Sequence, residues 1–145
     1  MLPHLIVDDR VSLLRHRVLL DMLEQLVQVK PGLPDVDVDL AIVGGGRPLP
    51  LRIEVGLFRI VQEALANVGQ HADAGQVKII LETTPVQVRL EVEDDGRGFN
   101  LQKATGNRYG LVGLNERVKL LGGQMQLESG EGQGSRLEVV VPLLD

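Results

Sequence analysis

The spacing of apolar residues along the chain predicts three helices. From Asp8 to Val29, apolar side chains recur every three or four residues, which is the period of one helical face, and Pro31-Gly32 ends the pattern. The strongest helical pattern runs from about Arg52 to His71. Its apolar stripe comprises Ile53, Leu57, Ile60, Val61, Ala64, Leu65 and Val68. A third, shorter helix is predicted by the apolar face from Leu114 to Leu121.

Alternation of apolar and polar residues predicts five strands. The first runs from Val36 to Ile42, and a hairpin follows the long helix with strands Val77 to Glu82 and Val86 to Glu93. The last two strands lie near Gln124 to Glu128 and Arg136 to Val141. The order α-β-α-β-β-α-β-β implies an α+β fold, a two-layer α/β sandwich in which a mixed, mostly antiparallel sheet carries helices on one face.

Composition narrows the class of protein. The 145 residues predict one domain over 1–145, with an N-terminal helix and first strand in 1–47 and a motif-bearing core in 48–142. The chain has no cysteine, which excludes disulfides and thiol catalysis. Its net charge of -5 argues against nucleic acid as a partner. Because no apolar run approaches the roughly 20 residues that cross a bilayer, we expect no membrane contact from this segment.

The first candidate binding or catalytic side chains lie on the polar face of the long predicted helix. Four polar residues follow one another at four-residue spacing, each about 40° around the helix from the last: Arg59, Glu63, Asn67 and His71, with Gln70 beside them. A carboxylate, a carboxamide and an imidazole on one face can hold a hydrated cation, and an uncharged asparagine oxygen suits Mg²⁺ shared with a phosphate chain. Taken alone, the stripe is more simply explained as a solvated helix face.

Glycine-rich segments supply further candidates. Asp94-Asp95-Gly96-Arg97-Gly98 comes at the end of a predicted strand, where glycine lets the backbone approach a ligand and aspartate can accept a hydrogen bond from an amine such as that of adenine. Gly110-Leu111-Val112-Gly113 leads into the third helix, whose free N–H groups attract phosphate. The composition of the segment from Gly130 to Ser135 predicts a flexible hairpin connection. Considered alone, the Asp94 segment is more commonly a turn, and the Gly110 segment is also explained as a glycine-hinged loop that closes onto a helix.

Two familiar nucleotide signatures are missing from the sequence. There is no G-x-x-x-x-G-K-[ST] loop, and no G-x-G-x-x-G run opens a helix after a first strand. An ATP site in this chain must therefore be built in another way.

The order and spacing of the motifs carry a family resemblance. They are Glu63-Ala64-Leu65-Ala66-Asn67, His71-Ala72, Asp94-x-Gly96-x-Gly98, Gly110-x-x-Gly113 and Gly134-Ser135. In this order they resemble the catalytic and ATP-binding domain of sensor histidine kinases, which has the Bergerat ATP-binding fold shared by gyrase, Hsp90 and MutL. The segments from Phe58 to Leu65 and from Gly113 to Val118 are most similar to the bacterial subfamily that includes nitrate sensors. The resemblance covers residues 48 to 142, and the first 47 residues match only in general pattern.

The resemblance implies roles for the polar residues of the long helix. Asn67 takes the position of the family's Mg²⁺ ligand. Glu63 takes the position of the carboxylate that orders the water molecules of the metal and polarises the phosphoryl-transfer site. Glu63 and Asn67 are therefore the implied catalytic residues. His71 takes the position that packs near the adenine or ribose, although a histidine at a helix C-terminus is also favoured by the helix dipole. Gln70 stands where the family usually has a lysine or arginine that reaches toward phosphate, which implies weaker ATP binding or catalysis.

The glycine-rich segments are implied to hold the nucleotide. Asp94 resembles the family's adenine-reading aspartate, and Gly96 and Gly98 would let the purine approach. Residues 100 to 109 would form a short ATP lid, and Ser135 stands where the family usually has threonine, close to the adenine. The phosphates would be flanked by Gly110, Leu111 and Gly113.

The expected function follows from this resemblance. The chain would bind Mg²⁺ and ATP and donate the γ-phosphoryl group to a histidine on a dimerisation domain, because His4, His16 and His71 lack the setting of the subfamily's acceptor. The implied partners are ATP or ADP, that histidine-bearing domain and a downstream response regulator. The implied location of the domain is the cytoplasm. The isolated chain would bind ATP with little turnover. Two alternatives remain open: a nucleotide-sensing or partner-docking module without catalysis, and a protein serine kinase of the anti-sigma type.

Overall fold

The computed structural model describes residues 4–7, 17–30, 33–44, 48–98 and 111–143. Three predicted features lie outside these residues: the start of the first helix at Asp8, the lid over residues 100 to 109, and Gly110.

The helices that the structure describes occur where the periodicity predicts them. They are α1 (Arg17–Val29), α2 (Leu51–Asn67) and α3 (Leu111–Leu120). The predicted helix from Arg52 to His71 is divided into α2 and a π-helical turn, Val68–Ala72, after which Asp73 has a left-handed backbone with φ of 50°. Wide π turns of this kind are common at functional sites. None of these described helices is both long and apolar enough to span a membrane.

The described strands form one six-stranded sheet in the order β1-β2-β3-β4-β6-β5. Their bounds are β1 (His4–Val7), β2 (Asp37–Gly44), β3 (Gln76–Thr83), β4 (Gln87–Asp94), β5 (Gln124–Ser129) and β6 (Ser135–Pro142). The β1–β2 and β2–β3 pairs are parallel, whereas β3–β4, β4–β6 and β5–β6 are antiparallel. The predicted mixed, mostly antiparallel sheet is therefore confirmed. β1 was not predicted, because four residues are too few to show an alternation.

The helices cover one face of the sheet, and the core lies between the two layers. On β3 and β4, every second side chain is buried against the helices, as in Ile79 and Leu90. α2 contributes its apolar stripe, with Ile60 and Val61 fully buried. α1 packs on α2 and β2, and α3 packs on α2 and β5. Alternate residues of the same strands form the opposite, polar face of the sheet, so the two-layer sandwich is confirmed.

Candidate functional site

Two of the glycine-rich motifs meet at one end of the sheet. Asp94 is the last residue of β4 and lies opposite Ser135, the first residue of β6, in the antiparallel register. The side chain of Ser135 is within 2.8 Å of the Ser129 hydroxyl of β5. The structure thus brings together two residues that the sequence resemblance assigned to the adenine pocket, although they are far apart in the chain.

The Asp94 carboxylate is buried and only partly hydrogen-bonded. Asp94 is 8% exposed, and its Oδ1 accepts a hydrogen bond from the Gly96 N–H at 2.9 Å. Within the described residues, no hydrogen bond reaches its Oδ2. Burial raises the pKa of Asp94 above its ordinary value, against the opposing effect of the Gly96 bond, and the neighbouring Asp95 and Glu93 carboxylates raise it further. A buried acceptor with unused capacity is suited to a ligand that brings a hydrogen-bond donor.

Two glycines let backbone segments close around this carboxylate. Gly98 has φ of +64°, and a Cβ there would lie 2.1 Å from the carbonyl oxygen of Gly130. Gly134 has φ of +74°, and a Cβ there would lie 2.2 Å from the carbonyl oxygen of Asp94. Any side chain would force these segments apart. The Gly130 to Ser135 segment, expected to be a flexible connection, is therefore packed against the Asp94 loop as a wall of the site.

A cavity of about 380 Å³ opens beside these residues. Its lining includes Asp94, Ser129, Gly130, Gln133 and Ser135. In the part of the chain that the structure describes, no residue of α2 lines this cavity. Of the residues that the resemblance places near the adenine, Asp94 and Ser135 line this cavity, which also extends to Glu93 and Arg136 on the polar face of the sheet. The candidate residues of α2 are carried by a separate element.

The second aspartate of the motif has a structural role that sequence reasoning missed. Oδ1 of Asp95 accepts hydrogen bonds from the N–H groups of Gly75 and Gln76, both at 2.9 Å, and these bonds lower its pKa. They fasten the Asp94 loop to the start of β3, which follows the π turn of α2. Only the position of Asp95 directly after Asp94 could have pointed to it in the sequence.

The candidate residues of α2 share one face of the helix. Glu63 and Asn67 are half-buried and lie one helical turn apart. Gln70 is exposed in the π turn; His71 belongs to the same turn by its backbone, and its side chain lies outside the description. Glu63 is not free: Nε and Nη2 of Arg117 on α3 donate to its Oε1 at 3.1 and 2.8 Å. Arg117 lies in the Gly113 to Val118 segment that carries the subfamily resemblance, but sequence reasoning assigned it no role in the site.

The start of α3 contains two of the expected phosphate-side residues. Leu111 is the first residue of the helix and packs against the hydrophobic core. Gly113 lies in the first turn, and a Cβ there would meet no atom within 4 Å. A helical glycine costs stability relative to alanine, and nothing in the described residues requires one at this position. A ligand that approaches the backbone at Gly113 would explain it.

The donors of α2 fit the way in which proteins bind Mg²⁺. In the described ranges, no cluster of three or more acidic or histidine side chains is arranged to hold a metal ion. Mg²⁺, however, commonly uses one or two protein oxygens and takes its other ligands from water and phosphate. The amide oxygen of Asn67, with the carboxylate of Glu63 one turn away, fits that donor set.

Comparison with known proteins places the chain in a family. The sequence profile of the histidine kinase-, DNA gyrase B- and HSP90-like ATPases matches residues 52–145. The sensor histidine kinase LiaS of Bacillus subtilis is 44% identical over 91 residues, which are 63% of this chain and 25% of LiaS. The histidine-protein kinase/phosphatase DegS of Brevibacillus brevis is 34% identical over 106 residues, which are 73% of this chain and 28% of DegS.

A solved structure agrees with these relatives. The ATP-binding domain of PrrB from Mycobacterium tuberculosis superposes with a TM-score of 0.65 and 26% identity, covering 86% of this chain and 93% of that domain. The chain belongs to the family of histidine kinase-, DNA gyrase B- and HSP90-like ATPases. It spans about a quarter of the length of the curated relatives that it matches.

Proposed function

We propose that this chain is the ATP-binding catalytic domain of a two-component sensor histidine kinase. It binds Mg·ATP and donates the γ-phosphoryl group to a histidine on a separate dimerisation domain. The proposal is supported by the chain's membership of this ATPase family and by its similarity to sensor histidine kinases. The observation that carries the proposal is the buried Asp94 carboxylate, which has unused acceptor capacity beside the cavity that Ser135 lines.

Asp94 reads the base of the nucleotide. Adenine presents an exocyclic amine, and the ionised carboxylate accepts its hydrogen bond. Because Asp94 is largely removed from water, the bond is formed where competition from solvent is weak. The cavity of about 380 Å³ that Asp94 and Ser135 line offers room for a flat ring beside the carboxylate.

The residues of α2 act on the phosphates. Phosphoryl transfer relies on positioning and on neutralising charge, with little covalent chemistry for the protein to perform. Bound Mg²⁺ would neutralise phosphate charge, with Asn67 as its protein ligand. Glu63 would orient the groups around the transferred phosphoryl, and the open backbone at Gly113 would admit the phosphates. Gln70 and His71 in the π turn, with Gly96, Gly110 and Leu111, complete the proposed nucleotide contacts.

The proposed partners follow from the relatives, which are sensor histidine kinases. They are the histidine-bearing dimerisation domain of the whole kinase and a response regulator that takes the phosphoryl group from it. The proposed location of the domain is the cytoplasm, where ATP is available.

Calorimetric titration with ADP, with and without Mg²⁺, tests the nucleotide site. We expect Asp94→Asn to weaken ADP binding by about 2–3 kcal/mol, or roughly 30- to 150-fold, because the amide presents fewer acceptors to the adenine amine. The matched control is Glu91→Gln, which removes another buried carboxylate from the same strand on the opposite face of the sheet. ADP affinity should be unchanged in this control.

The outcomes separate the proposal from its main alternative. An absence of ADP binding at millimolar concentration, or equal losses in both variants, would contradict the nucleotide site. Metal-dependent binding without transfer to a supplied histidine domain would instead favour a nucleotide-sensing module. The uncharged Gln70, where the family usually has a cation, is the feature that favours that second function.

A further inference from the structure

A guanidinium–carboxylate contact links the two helices that flank the proposed phosphate region. Arg117 of α3 donates from Nε and Nη2 to the same oxygen, Oε1, of Glu63 on α2, at 3.1 and 2.8 Å. Within the described residues, no hydrogen bond reaches the other oxygen, Oε2. The fork therefore fixes one oxygen of the carboxylate and leaves the second available as an acceptor.

The exposure of this pair argues against a mainly structural role. The side chains of Glu63 and Arg117 are 37% and 34% exposed. Ion pairs with this much access to water contribute little to folding stability. The helices themselves are held by the apolar core, in which Leu114 and Val118 of α3 are buried. The Glu63–Arg117 ion pair is thus not needed to dock α3 on α2.

The location of the pair gives it a different use. Glu63 lies one turn before Asn67 on α2, and Arg117 lies one turn after Gly113 on α3. The contact therefore spans the two elements that carry the proposed metal ligand and the proposed phosphate approach. A carboxylate on a flexible side chain can rotate, and a two-pronged donor restricts that rotation.

Building on the proposed function, we propose that Arg117 is a positioning residue for phosphoryl transfer. It holds Oε1 of Glu63, so that Oε2 faces the reacting groups in one orientation. Arg117 itself does not need to touch the nucleotide. Its loss would slow the transfer step while leaving nucleotide binding, which depends on Asp94 and the glycine-rich segments, nearly intact.

The test measures transfer and binding separately. The full chain is supplied with γ-labelled ATP, Mg²⁺ and the histidine-bearing dimerisation domain of a relative, and kcat and KM for ATP are measured beside the Kd for ADP. We expect Arg117→Ala to lower kcat by about 10- to 100-fold, as for misplacement of a positioned group, with KM and Kd within about twofold. Arg117→Lys should recover part of the loss, because an ammonium can still donate to Glu63. Lys119→Ala, on the same helix and exposed, is the matched control and should behave as the wild type.

A double substitution decides whether Arg117 acts through Glu63. In a Glu63→Gln background, Arg117→Ala should cause no further loss of kcat. A full additional loss in that background, a change confined to KM and Kd, or an unchanged kcat in Arg117→Ala would each overturn the inference. Wild-type chain that binds ADP but transfers nothing would contradict the proposed kinase function, and the inference would fall with it. Transfer by Arg117→Ala at the kcat of the wild type would overturn the inference alone.

Discussion

Two buried carboxylates on one strand have opposite environments. Asp94 and Glu91 both lie on β4, and they are 8% and 7% exposed. Glu91 faces the polar side of the sheet, where Arg89 and Arg136 both donate to it. Asp94 faces the helix side and receives one backbone N–H, from Gly96.

The pKa shifts of the two carboxylates record this difference. Burial by itself raises the pKa of both groups. At Glu91 the hydrogen bonds and charges of two arginines outweigh burial, and its pKa is lowered. At Asp94 a single backbone bond does not, and its pKa is raised, with like charges adding to the effect. The hydrogen-bonded carboxylate of Glu91 is therefore suited to stabilising the sheet, whereas Asp94 keeps acceptor capacity that the proposed nucleotide would use.

The largest effect is expected from breaking the surroundings of Asp94. Gly134→Ala would place a Cβ 2.2 Å from the Asp94 carbonyl oxygen at φ of +74°, so we expect it to lower the free energy of unfolding by roughly 2–4 kcal/mol and to abolish ADP binding. Gly132→Ala is the matched control: its φ is +78°, but a Cβ would meet no atom within 4 Å. It should cost only the backbone strain, about 1–2 kcal/mol, and should retain binding. Urea unfolding and ADP titration measure both effects, and equal losses would remove the argument from close packing.

An intermediate effect is expected at Glu91. Glu91→Gln weakens its bonds to two arginines and should lower the free energy of unfolding at neutral pH by about 1–3 kcal/mol. Because the pKa of Glu91 is lowered in the fold, its ionised form stabilises the protein above its ordinary value of 4.5, and this contribution is lost as pH falls through the lowered pKa. The stability of the variant should therefore depend less on pH below 4.5.

Asp94→Asn should change stability with the opposite sign. The raised pKa of Asp94 means that its protonated form is favoured in the fold, so its ionisation opposes folding as pH rises from 3.8 through the raised pKa. The variant should be no less stable than the wild type at neutral pH. Urea unfolding from pH 3 to pH 7 compares both variants; the same pH dependence in the two would contradict the contrast between the carboxylates.

The smallest effect is expected at Gly113, at the start of α3. Gly113→Ala meets open space, and the helix propensity of alanine should raise the free energy of unfolding by about 0.5–1 kcal/mol. We nevertheless expect weaker ADP binding, because the added methyl group would stand where the phosphates approach. A variant that is more stable and binds ADP as well as the wild type would remove Gly113 from the site.

Most of the fold could be predicted from local patterns. The apolar stripe of α2 and the alternation along β4 are properties of consecutive residues, so periodicity finds them with no knowledge of the rest of the chain. The four-residue strand β1 was missed because it is too short to show a period, and its pairing with β2 depends on backbone bonds between distant segments. The division of the predicted long helix into α2 and a π turn was missed for another reason. The apolar stripe continues from α2 into Val68, so the spacing of apolar residues does not distinguish the two helical forms.

The candidate site divides in a similar way. The sequence by itself determined the order of the elements, the polar stripe of Glu63 and Asn67, and the family motifs. Only the tertiary structure decided that Asp94 lies beside Ser135, and that Arg117 holds Glu63. It also decided that Asp94 and Glu91, three residues apart on one strand, have opposite pKa shifts. The reason is physical: helical and strand periods are set by neighbours in the chain, whereas burial, hydrogen-bond partners and charge are set by whichever distant segments the fold packs against them.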